Sequence, residues 1–360
     1  MKIIYLVFFS FLLSVGLLAQ ENDSADQNSL LEPITETVDQ GSVFDTDEPL
    51  IVTLKYDISS FVKHKSKGEY IDAELFLHLS DSDSIVKNIR LKARGNFRRG
   101  HCFFPPIYLN FKTDPIENTE LKGIRKIKMV THCESTKAYE NYILREYLAY
   151  KLYNVFSEKS FKVRLVDINY IDTGKRGRNY HKYGFLIEPV ELLAKRTGSI
   201  EVKPTVIKPE EMDDATMDVV ALFEYMIANT DWRAKAGHNL KYLKSLTNFN
   251  EKVIPVPYDF DYSGFVDTHY AEPQEWVSIK SVSDREYLGY CRNSDEEYLD
   301  AIELFNQKEA EIKSVIANFT YLSERERNSR EKFVDEFFIQ NKRTKGMVSL
   351  LKNQCRSNEF

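Results

Sequence analysis

The sequence predicts an α+β fold with a β-rich first half and a mainly helical second half. From residue 50 to 130, apolar and polar residues alternate, as they do in strands with one buried face. Beyond residue 192, apolar residues recur every three or four positions, as on one side of a helix. With 42% hydrophobic and 29% charged residues among 360, the chain has the composition of a globular protein with sizeable cores.

The first 20 residues are typical of a secretory signal peptide. Lys2 precedes an uncharged run from Ile3 to Ala19, and a polar stretch follows at once. The alternative is an uncleaved membrane anchor, since the run is nearly long enough to span a bilayer. We expect cleavage and export to the periplasm, the cell envelope or the medium, because the basic segment before the run is minimal and a polar stretch follows it directly. No later segment is apolar enough to cross a membrane. Residues 21–47 are polar and are interpreted as a linker.

Residues 48–190 are predicted to form the β-rich region with one long helix. The alternating segments are Leu50–Ile58, Tyr70–Leu79, Ile85–Arg94, Ile107–Lys112 and Ile124–Val130. The period then changes, and a helix is predicted from Thr136 to Phe156 before strands return at Phe161–Ile171 and Tyr183–Val190. The long helix is expected to pack one face on the sheet.

Residues 191–345 are predicted to be mainly helical, and residues 346–360 are assigned to a C-terminal tail. Helical spacing is clear at Ala215–Asn229 and again beyond residue 295. Two short strands, Asn239–Leu243 and Val253–Phe260, are inserted between these helices. This arrangement predicts two lobes, with the inserted strand pair as the place for any chemistry.

Four cysteines in an exported chain are expected to pair. Cys102 and Cys133 flank two predicted strands, so a hairpin would bring them together and favour a disulfide between them. Cys291 and Cys355 form a second pair in this interpretation, although both could be free. A zinc site is less favoured, because no compact Cys/His spacing occurs.

Two loops beside the inserted strands carry residue types suited to phosphoryl transfer. The first, from Asn229 to Asn239, contains Asp231, and the second, from Tyr258 to Gly264, contains Asp259 and Asp261. An Asp can accept the proton of an attacking hydroxyl, while Asn and Asp oxygens are ligands that Mg²⁺ prefers.

The spacing of the two aspartates in the second loop is a further signal. On a strand, Asp259 and Asp261 would share one side, where two like charges are costly without a cation or an arginine between them. This favours a metal there. Gly264 would let the backbone turn sharply past it.

Together the two loops resemble the catalytic and metal-binding loops of the spore coat protein H (CotH) kinase family and of the related HipA-type kinases. Other segments resemble that family in the same order, over roughly residues 50–282: Leu91–Gly100, Ile107–Lys112, Ile124–Val130, Arg145–Asn154 and Gly184–Glu191. The resemblance implies a two-lobe, atypical protein-kinase-like fold. It also implies ATP, or another nucleotide, with Mg²⁺ or Mn²⁺ as cofactors.

The resemblance also assigns roles to single residues. Asp231 would be the catalytic base, Asn239 and Asp259 would hold metal, and Asp261 would be a candidate second ligand. Lys128 would contact the α- and β-phosphates, steadied by Glu146, and Arg94 would line the phosphate side. Lys126 is a rival for the lysine role, because it has the same strand parity. The sequence has no glycine-rich phosphate loop, which leaves phosphate binding to Arg94, Arg98 and Arg99.

Three functions follow as hypotheses. The leading one is an exported kinase, acting as a monomer on a protein hydroxyl or a small-molecule acceptor. The second is a catalytically inactive binding or structural protein of the cell envelope with a kinase fold. The third interprets residues 259–261 as an Asp-x-Asp site of a glycosyltransferase, which would need a Rossmann-like α/β half near the motif. Binding to nucleic acid is not expected, because the net charge is −6 and basic residues are dispersed.

Overall fold

Strands from the β-rich half close into a barrel. The computed structural model describes residues 42–357 except residues 81, 96, 118, 176 and 249. The described strands of this half are β1 Leu50–Tyr56, β2 Ile71–His78, β3 Ser84–Ala93, β4 Ile107–Asn110, β5 Lys126–Val130, β6 Val163–Asp172 and β7 Tyr180–Ile187. Their order is β1-β2-β3-β4-β5-β7-β6, and β1 pairs in parallel with β6 to close the ring. The sequence patterns predicted the strands but not their closure.

Alternation along the strands separates the inside of the barrel from its outside. The interior is filled by buried apolar side chains that include Val52, Leu75, Leu91, Leu109, Met129, Ile168 and Leu186. Three helices accompany this region: α1 Ile58–His64, α2 Phe97–His101 and α3 Lys137–Asn154. The long helix α3 packs against β6 and β7 on their outer face, where Leu165 and Phe185 join a second hydrophobic cluster.

The second half of the described chain is mainly helical. Its elements are α4 Val190–Arg196, β8 Ser199–Val202, α5 Asp214–Met226, β9 Leu240–Ser245, β10 Ile254–Pro257, α6 Asp295–Asn318, α7 Glu324–Asn341 and α8 Thr344–Gln354. Helix α5 begins where the Asp213 carboxylate accepts a hydrogen bond of 2.9 Å from the Thr216 amide. Ser294 and Glu297 form a capping box at the start of α6. The predicted α+β class, β-rich and then helical, is confirmed.

The inserted strand pair is part of a three-stranded antiparallel sheet with the order β10-β9-β8. Strand β8 was not predicted from the sequence. An antiparallel sheet beside residues 259–261 does not supply the Rossmann-like half that the glycosyltransferase hypothesis requires.

The fold includes residues at both ends that were expected to lie outside it. Val43 and Phe44, within the segment assigned to the linker, are buried, and the Val43 carbonyl accepts a bond of 2.9 Å from Arg164 Nη1. Residues assigned to the tail form most of α8, whose Met347, Val348 and Leu351 are buried. The predicted signal peptide and the linker up to residue 41 lie outside the described residues.

The favoured disulfide, Cys102–Cys133, is present, and Cys291 and Cys355, which the sequence left as a bridge or as free thiols, form a second one. Two disulfides are typical of an oxidising environment outside the cytosol. Within the part of the chain that the structure describes, no helix combines the length and the apolar character needed to cross a membrane.

Candidate functional site

Asp231 is held by the side chains of its own loop, between α5 and β9. The Asn239 side-chain amide donates to the Asp231 carbonyl (2.7 Å) and to its carboxylate (3.1 Å). His238 Nε2 lies 3.0 Å from the other carboxylate oxygen, and this hydrogen bond raises the pKa of His238. Asn239 has a positive φ of 54°, a conformation that Asn tolerates better than most residues. The structure thus brings Asp231 and Asn239 together, as predicted.

A second layer fixes the same loop to helix α5. The Asp231 amide donates to Asn229 Oδ1 (3.1 Å), and Asn229 Nδ2 donates to Glu224 Oε2 (2.9 Å). Glu224 is fully buried, and burial raises its pKa to about 8. Sequence reasoning missed this support, because a Glu inside an apolar helix shows no partner until the chain is folded.

The second loop meets the first through one backbone hydrogen bond. The Tyr258 amide donates to the Asn239 carbonyl (3.0 Å), and the next amide, of Asp259, donates to the Tyr150 hydroxyl (2.9 Å). Strand β10 ends at Pro257, and Asp259 has a positive φ of 67°. Asp259 and Asp261 therefore lie in a turn after the strand. The expected alternation on one strand face was wrong.

The cation between the two carboxylates is Arg98, from helix α2. Its guanidinium lies 3.1 Å from Asp261 Oδ2 and 3.4 Å from Asp259 Oδ1. It also donates to both oxygens of Glu146, at 3.2 and 3.3 Å. The side chains of Arg98 and Asp261 are each 9% exposed and that of Glu146 is 1% exposed, whereas Asp259 is 39% exposed. Burial raises the pKa of both Asp261 and Glu146, against the opposing charge of Arg98.

Lys128 lies beside Asp259 but is not steadied as predicted, because Glu146 pairs with Arg98. Its ammonium sits 5.8 Å from the centre of the Tyr258 ring. Burial lowers its pKa to about 8, with help from the charges of Arg94 and Lys241. Arg94 is half-buried, and Lys241 lies over the same Tyr258 ring as Lys128. We call Arg94, Lys128 and Lys241 the basic wall, because the charges of the other two act on Lys128.

Lys126 differs from Lys128 although both point out of the barrel. Lys126, at the start of β5, is exposed, and its ammonium lies 5.0 Å from the centre of the Tyr108 ring. The charge of Asp259 acts on Lys128 and raises its pKa, against the stronger effect of burial. Position therefore favours Lys128 over Lys126 as the lysine of the site.

An aromatic cluster lies beside Asp261. It consists of Phe97, His101, Tyr262, His269 and Tyr270, with neighbouring ring centres 5.1 to 6.4 Å apart. The Tyr270 hydroxyl donates to Asp261 Oδ2 (3.0 Å). Burial raises the pKa of Tyr262 to about 12, with contributions from Asp261 and Asp231. The cluster therefore reaches the surroundings of the predicted base.

The donors present suit one loosely held cation better than a closed metal cage. Among the described residues, no three His, Cys, Asp or Glu side chains are grouped so that they could hold a metal ion. Asp259 is partly exposed, and the Asn239 side-chain oxygen remains available because its nitrogen makes the bonds to Asp231. Mg²⁺ is commonly bound by one or two carboxylates, with phosphates and waters completing the shell.

Gly264 has a different role from the one predicted. A Cβ atom there would lie 2.5 Å from the Val282 carbonyl oxygen and 2.8 Å from Ser283 Cα. Its amide donates to the Ala228 carbonyl (3.0 Å). Gly264 thus permits close packing of its own backbone against the backbone at Val282 and Ser283 and at Ala228.

Comparisons with known proteins add little to this geometry. No protein-family model matches the chain, and none of the curated proteins matches it either. Among solved structures, the chain is similar to the Helicobacter pylori proinflammatory kinase CtkA, with a TM-score of 0.38 and 14% sequence identity. The similarity covers 73% of this chain and 94% of that one. At this TM-score the similarity carries no argument about function.

Proposed function

We propose that this protein is an exported phosphotransferase with a two-lobe, kinase-like fold, which moves a phosphoryl group from a nucleotide to a hydroxyl. One observation supports the proposal: a hydrogen bond from the Tyr258 amide to the Asn239 carbonyl joins the loop of Asp231 to the loop of Asp259. Phosphoryl transfer requires a base, and it requires oxygen ligands such as an amide and a carboxylate next to cationic side chains. The two disulfides support the exported setting.

The residues divide the work according to their positions. Lys128 and Arg94 bind and neutralise the nucleotide phosphates. Asp231 orients the acceptor hydroxyl and takes its proton as the new P–O bond forms and the bond to the leaving β-phosphate breaks. Asp259 and Asn239 would hold the divalent cation, which screens charge on the transferred group. The acceptor, a protein hydroxyl or a small molecule, approaches from the aromatic cluster.

A second candidate function is nucleotide binding without turnover. The observation that favours it is the buried contact of Arg98 with Glu146, Asp259 and Asp261, which engages the carboxylates that a two-metal kinase site would use. In that case the protein would serve as a binding or structural component of the envelope.

One experiment separates the two candidates. The purified mature chain is incubated with Mg²⁺ or Mn²⁺ and γ-labelled ATP, and label transfer to itself or to added acceptors is measured beside calorimetric binding of the nucleotide. We expect Asp231→Asn to reduce transfer at least about 100-fold, the scale of a lost general base, and to leave binding intact. Asp300→Asn, at an exposed position on α6, is the matched control. Binding without transfer in the wild type supports the second candidate, and equal transfer by Asp231→Asn rejects the first.

A further inference from the structure

Three tyrosines, at the basic wall and on the outer face of the barrel, each contact two cationic side chains. The charged groups lie 5.0 to 5.8 Å from the ring centres, within the range of cation–π contacts. We call these residues the tyrosine–cation strip: Tyr258 with Lys128 and Lys241, Tyr108 with Arg94 and Lys126, and Tyr70 with Arg90 and Lys92. The basic wall is one end of this strip, and the members beyond it have no part in the proposed function.

The strip is continuous, because neighbouring strands of the barrel place its members side by side. Tyr108 on β4 is paired in register with Lys128 on β5 and with Lys92 on β3. Lys92 and Arg90 alternate along β3 with residues that fill the barrel interior, so both point outwards. Neighbouring strands lie about 4.8 Å apart. The strip therefore runs from the basic wall across β5, β4 and β3 to Tyr70, which directly precedes β2.

Most cations of the strip have no acidic partner in the protein. Lys241 is the exception, since its ammonium lies 3.2 Å from a carboxylate oxygen of Glu201. The other cations of the strip form no ion pair with any described residue. Asp72 is paired in register with Arg90, but no ion pair joins these two side chains. Arg90 Nε is buried and has no hydrogen-bond partner among the described residues.

The crowding of like charges has a visible effect at Lys128. The charges of Arg94 and Lys241 lower its pKa, in addition to the stronger effect of burial. Like charges on one face oppose folding, and an anion bound among them offsets that cost. Lys126 is exposed and the other cations are half-buried, so an anion can reach them. Because the cations follow one another over several strands, the anion that fits them carries many charges along its length.

A chain of linked phosphates matches this strip better than a nucleic acid strand does. The strip starts at Lys128 and Arg94, which bind phosphates in the proposed function, and side chains of the same two kinds continue away from them. Lysine and arginine both suit phosphate oxygens. A single nucleic acid strand is held to a large extent by bases stacked on aromatic rings. Each ring of the strip already contacts two cations, so a base would have to displace a cation to stack there.

We propose that the tyrosine–cation strip binds inorganic polyphosphate and that this chain is a second phosphoryl donor beside the nucleotide. The end of the chain lies at Tyr258, whose amide donates to the carbonyl of Asn239, and the Asn239 side chain contacts Asp231. The acceptor oxygen bonds to the terminal phosphorus as the terminal phosphoanhydride bond breaks, and Asp231 takes the hydroxyl proton. The leaving oxygen keeps the electron pair on a chain that is one phosphate shorter. The inference rests on the proposed function, because the base and the acceptor are the same.

The length of the phosphate chain tests where it binds. Binding of tripolyphosphate and of long-chain polyphosphate to the folded mature protein is measured by isothermal titration, with concentrations expressed per chain. The basic wall alone can hold tripolyphosphate, whereas a long chain reaches Tyr70. We expect the long chain to bind at least about tenfold more tightly, because it gains further charge-assisted contacts.

Removing the far end of the strip should abolish this gain. Arg90→Gln combined with Lys92→Gln should lower the affinity for the long chain at least about tenfold, and should leave that for tripolyphosphate and for a non-hydrolysable ATP analogue within about twofold. The matched control, Lys175→Gln with Arg178→Gln, removes the same charges at exposed positions between β6 and β7 and should bind like wild type. Lys126→Gln, at an exposed position, replaces the first variant if that does not fold, and should lose at least about threefold.

Two other polyanions are titrated in parallel. Single-stranded DNA and polygalacturonate, an acidic glycan, are added at the same concentration of negative charge. We expect both to bind more weakly than long-chain polyphosphate. Tighter binding of either one would overturn the assignment of the strip to polyphosphate.

The donor role is measured in the label-transfer assay of the proposed function, with labelled polyphosphate in place of ATP. We expect transfer from both donors, and loss of transfer from polyphosphate alone in Arg90→Gln with Lys92→Gln. Transfer from ATP without transfer from polyphosphate, equal affinity for short and long chains, or unchanged long-chain affinity in the folded double variant would overturn the inference and leave the proposed function standing. Transfer from neither donor would overturn both.

Discussion

At the scale of single residues, Lys128 and Lys126 illustrate how burial selects between two candidates. Both alternate with the inward-facing Ile127 and Met129, so both point away from the barrel core. Lys128 faces the Tyr258 ring and feels the charge of Asp259, whereas Lys126 is exposed beside Tyr108. Only the three-dimensional position of the second loop distinguishes them.

Lys128→Met should weaken nucleotide binding at least about tenfold, because a charge-assisted contact to phosphate is worth about 1.5–3 kcal/mol. Lys126→Met is the matched control, with the same chemistry on the same face of β5, and it should change affinity less than about twofold. Isothermal titration with the ATP analogue measures both. A larger loss in Lys126→Met than in Lys128→Met would transfer the role to Lys126.

The local parts of the site could be predicted from the sequence, and the contacts between distant parts could not. Asp231 and Asn239 lie eight positions apart in one loop, so their proximity follows from local chain geometry. Arg98 and Asp259 are separated by 161 positions, and nothing in the local pattern links them. The sequence pattern suggested a cation or an arginine between Asp259 and Asp261, and Arg98 contacts both carboxylates in the structure.

At the scale of elements, helix α5 carries a buried acid that supports the loop of Asp231. Glu224 Oε2 accepts from Asn229, while its Oε1 is buried and has no hydrogen-bond partner within the described residues. Burial is the main cause of the raised pKa of about 8, and the charge of Asp231 adds to it. The protonated form of Glu224 therefore suits the folded protein better than the carboxylate.

This pKa shift predicts a stability change with pH. Between about pH 4.5 and pH 8 the folded state keeps a proton on Glu224 that the unfolded state has lost, so the free energy of unfolding should fall as pH rises. Glu224→Gln should remove this loss and gain on the order of 2–4 kcal/mol at pH 8 relative to wild type. Urea unfolding at pH 5 to 8 measures the slopes.

The control for this prediction is Glu303→Gln, at an exposed position of α6. It should follow the wild-type slope. Equal slopes for wild type and Glu224→Gln would show that Glu224 is ionised in the folded protein.

Element boundaries were predictable where the pattern was long. The observed bounds of β2, β3 and α3 agree closely with those predicted from their periods. Helix α2, with five residues, and β8, with four, were not predicted. Strand β10 was predicted to reach Phe260 but ends at Pro257, because the left-handed backbone of Asp259 cannot continue a strand.

At the scale of the whole molecule, two disulfides tie distant segments together. Cys102–Cys133 closes a separation of 31 residues within the barrel region, and Cys291–Cys355 closes one of 64 between the loop before α6 and the end of α8. Cross-links restrict the unfolded chain more strongly as the enclosed loop lengthens. Two such disulfides are typical of proteins in an oxidising compartment.

Replacing both Cys291 and Cys355 with serine should lower the free energy of unfolding by about 2–4 kcal/mol. Urea unfolding with and without a reductant measures this. Because the double variant retains Cys102–Cys133, reductant should destabilise it further, but less than it destabilises wild type. A wild-type protein that is insensitive to reductant, once both disulfides are shown to be reduced, would contradict the prediction.

The α+β class followed from two periodicities, whereas barrel closure did not. Seven strands among the described residues could have formed an open sheet with the same alternation. Closure depends on the parallel pairing of β1 with β6, which no turn residue signals.

That pairing has a consequence for how the protein is made. Leu50 of β1 lies opposite Val166 of β6, so the first strand meets its partner more than a hundred residues later. Strand β2 can cover one edge of β1 early during synthesis, but the other edge stays open, with unpaired backbone groups that attract foreign strands. Bringing such distant segments together is entropically costly and slow. In the closed barrel, one edge of β1 therefore finds its partner only after β6, which ends at Asp172, has been synthesised.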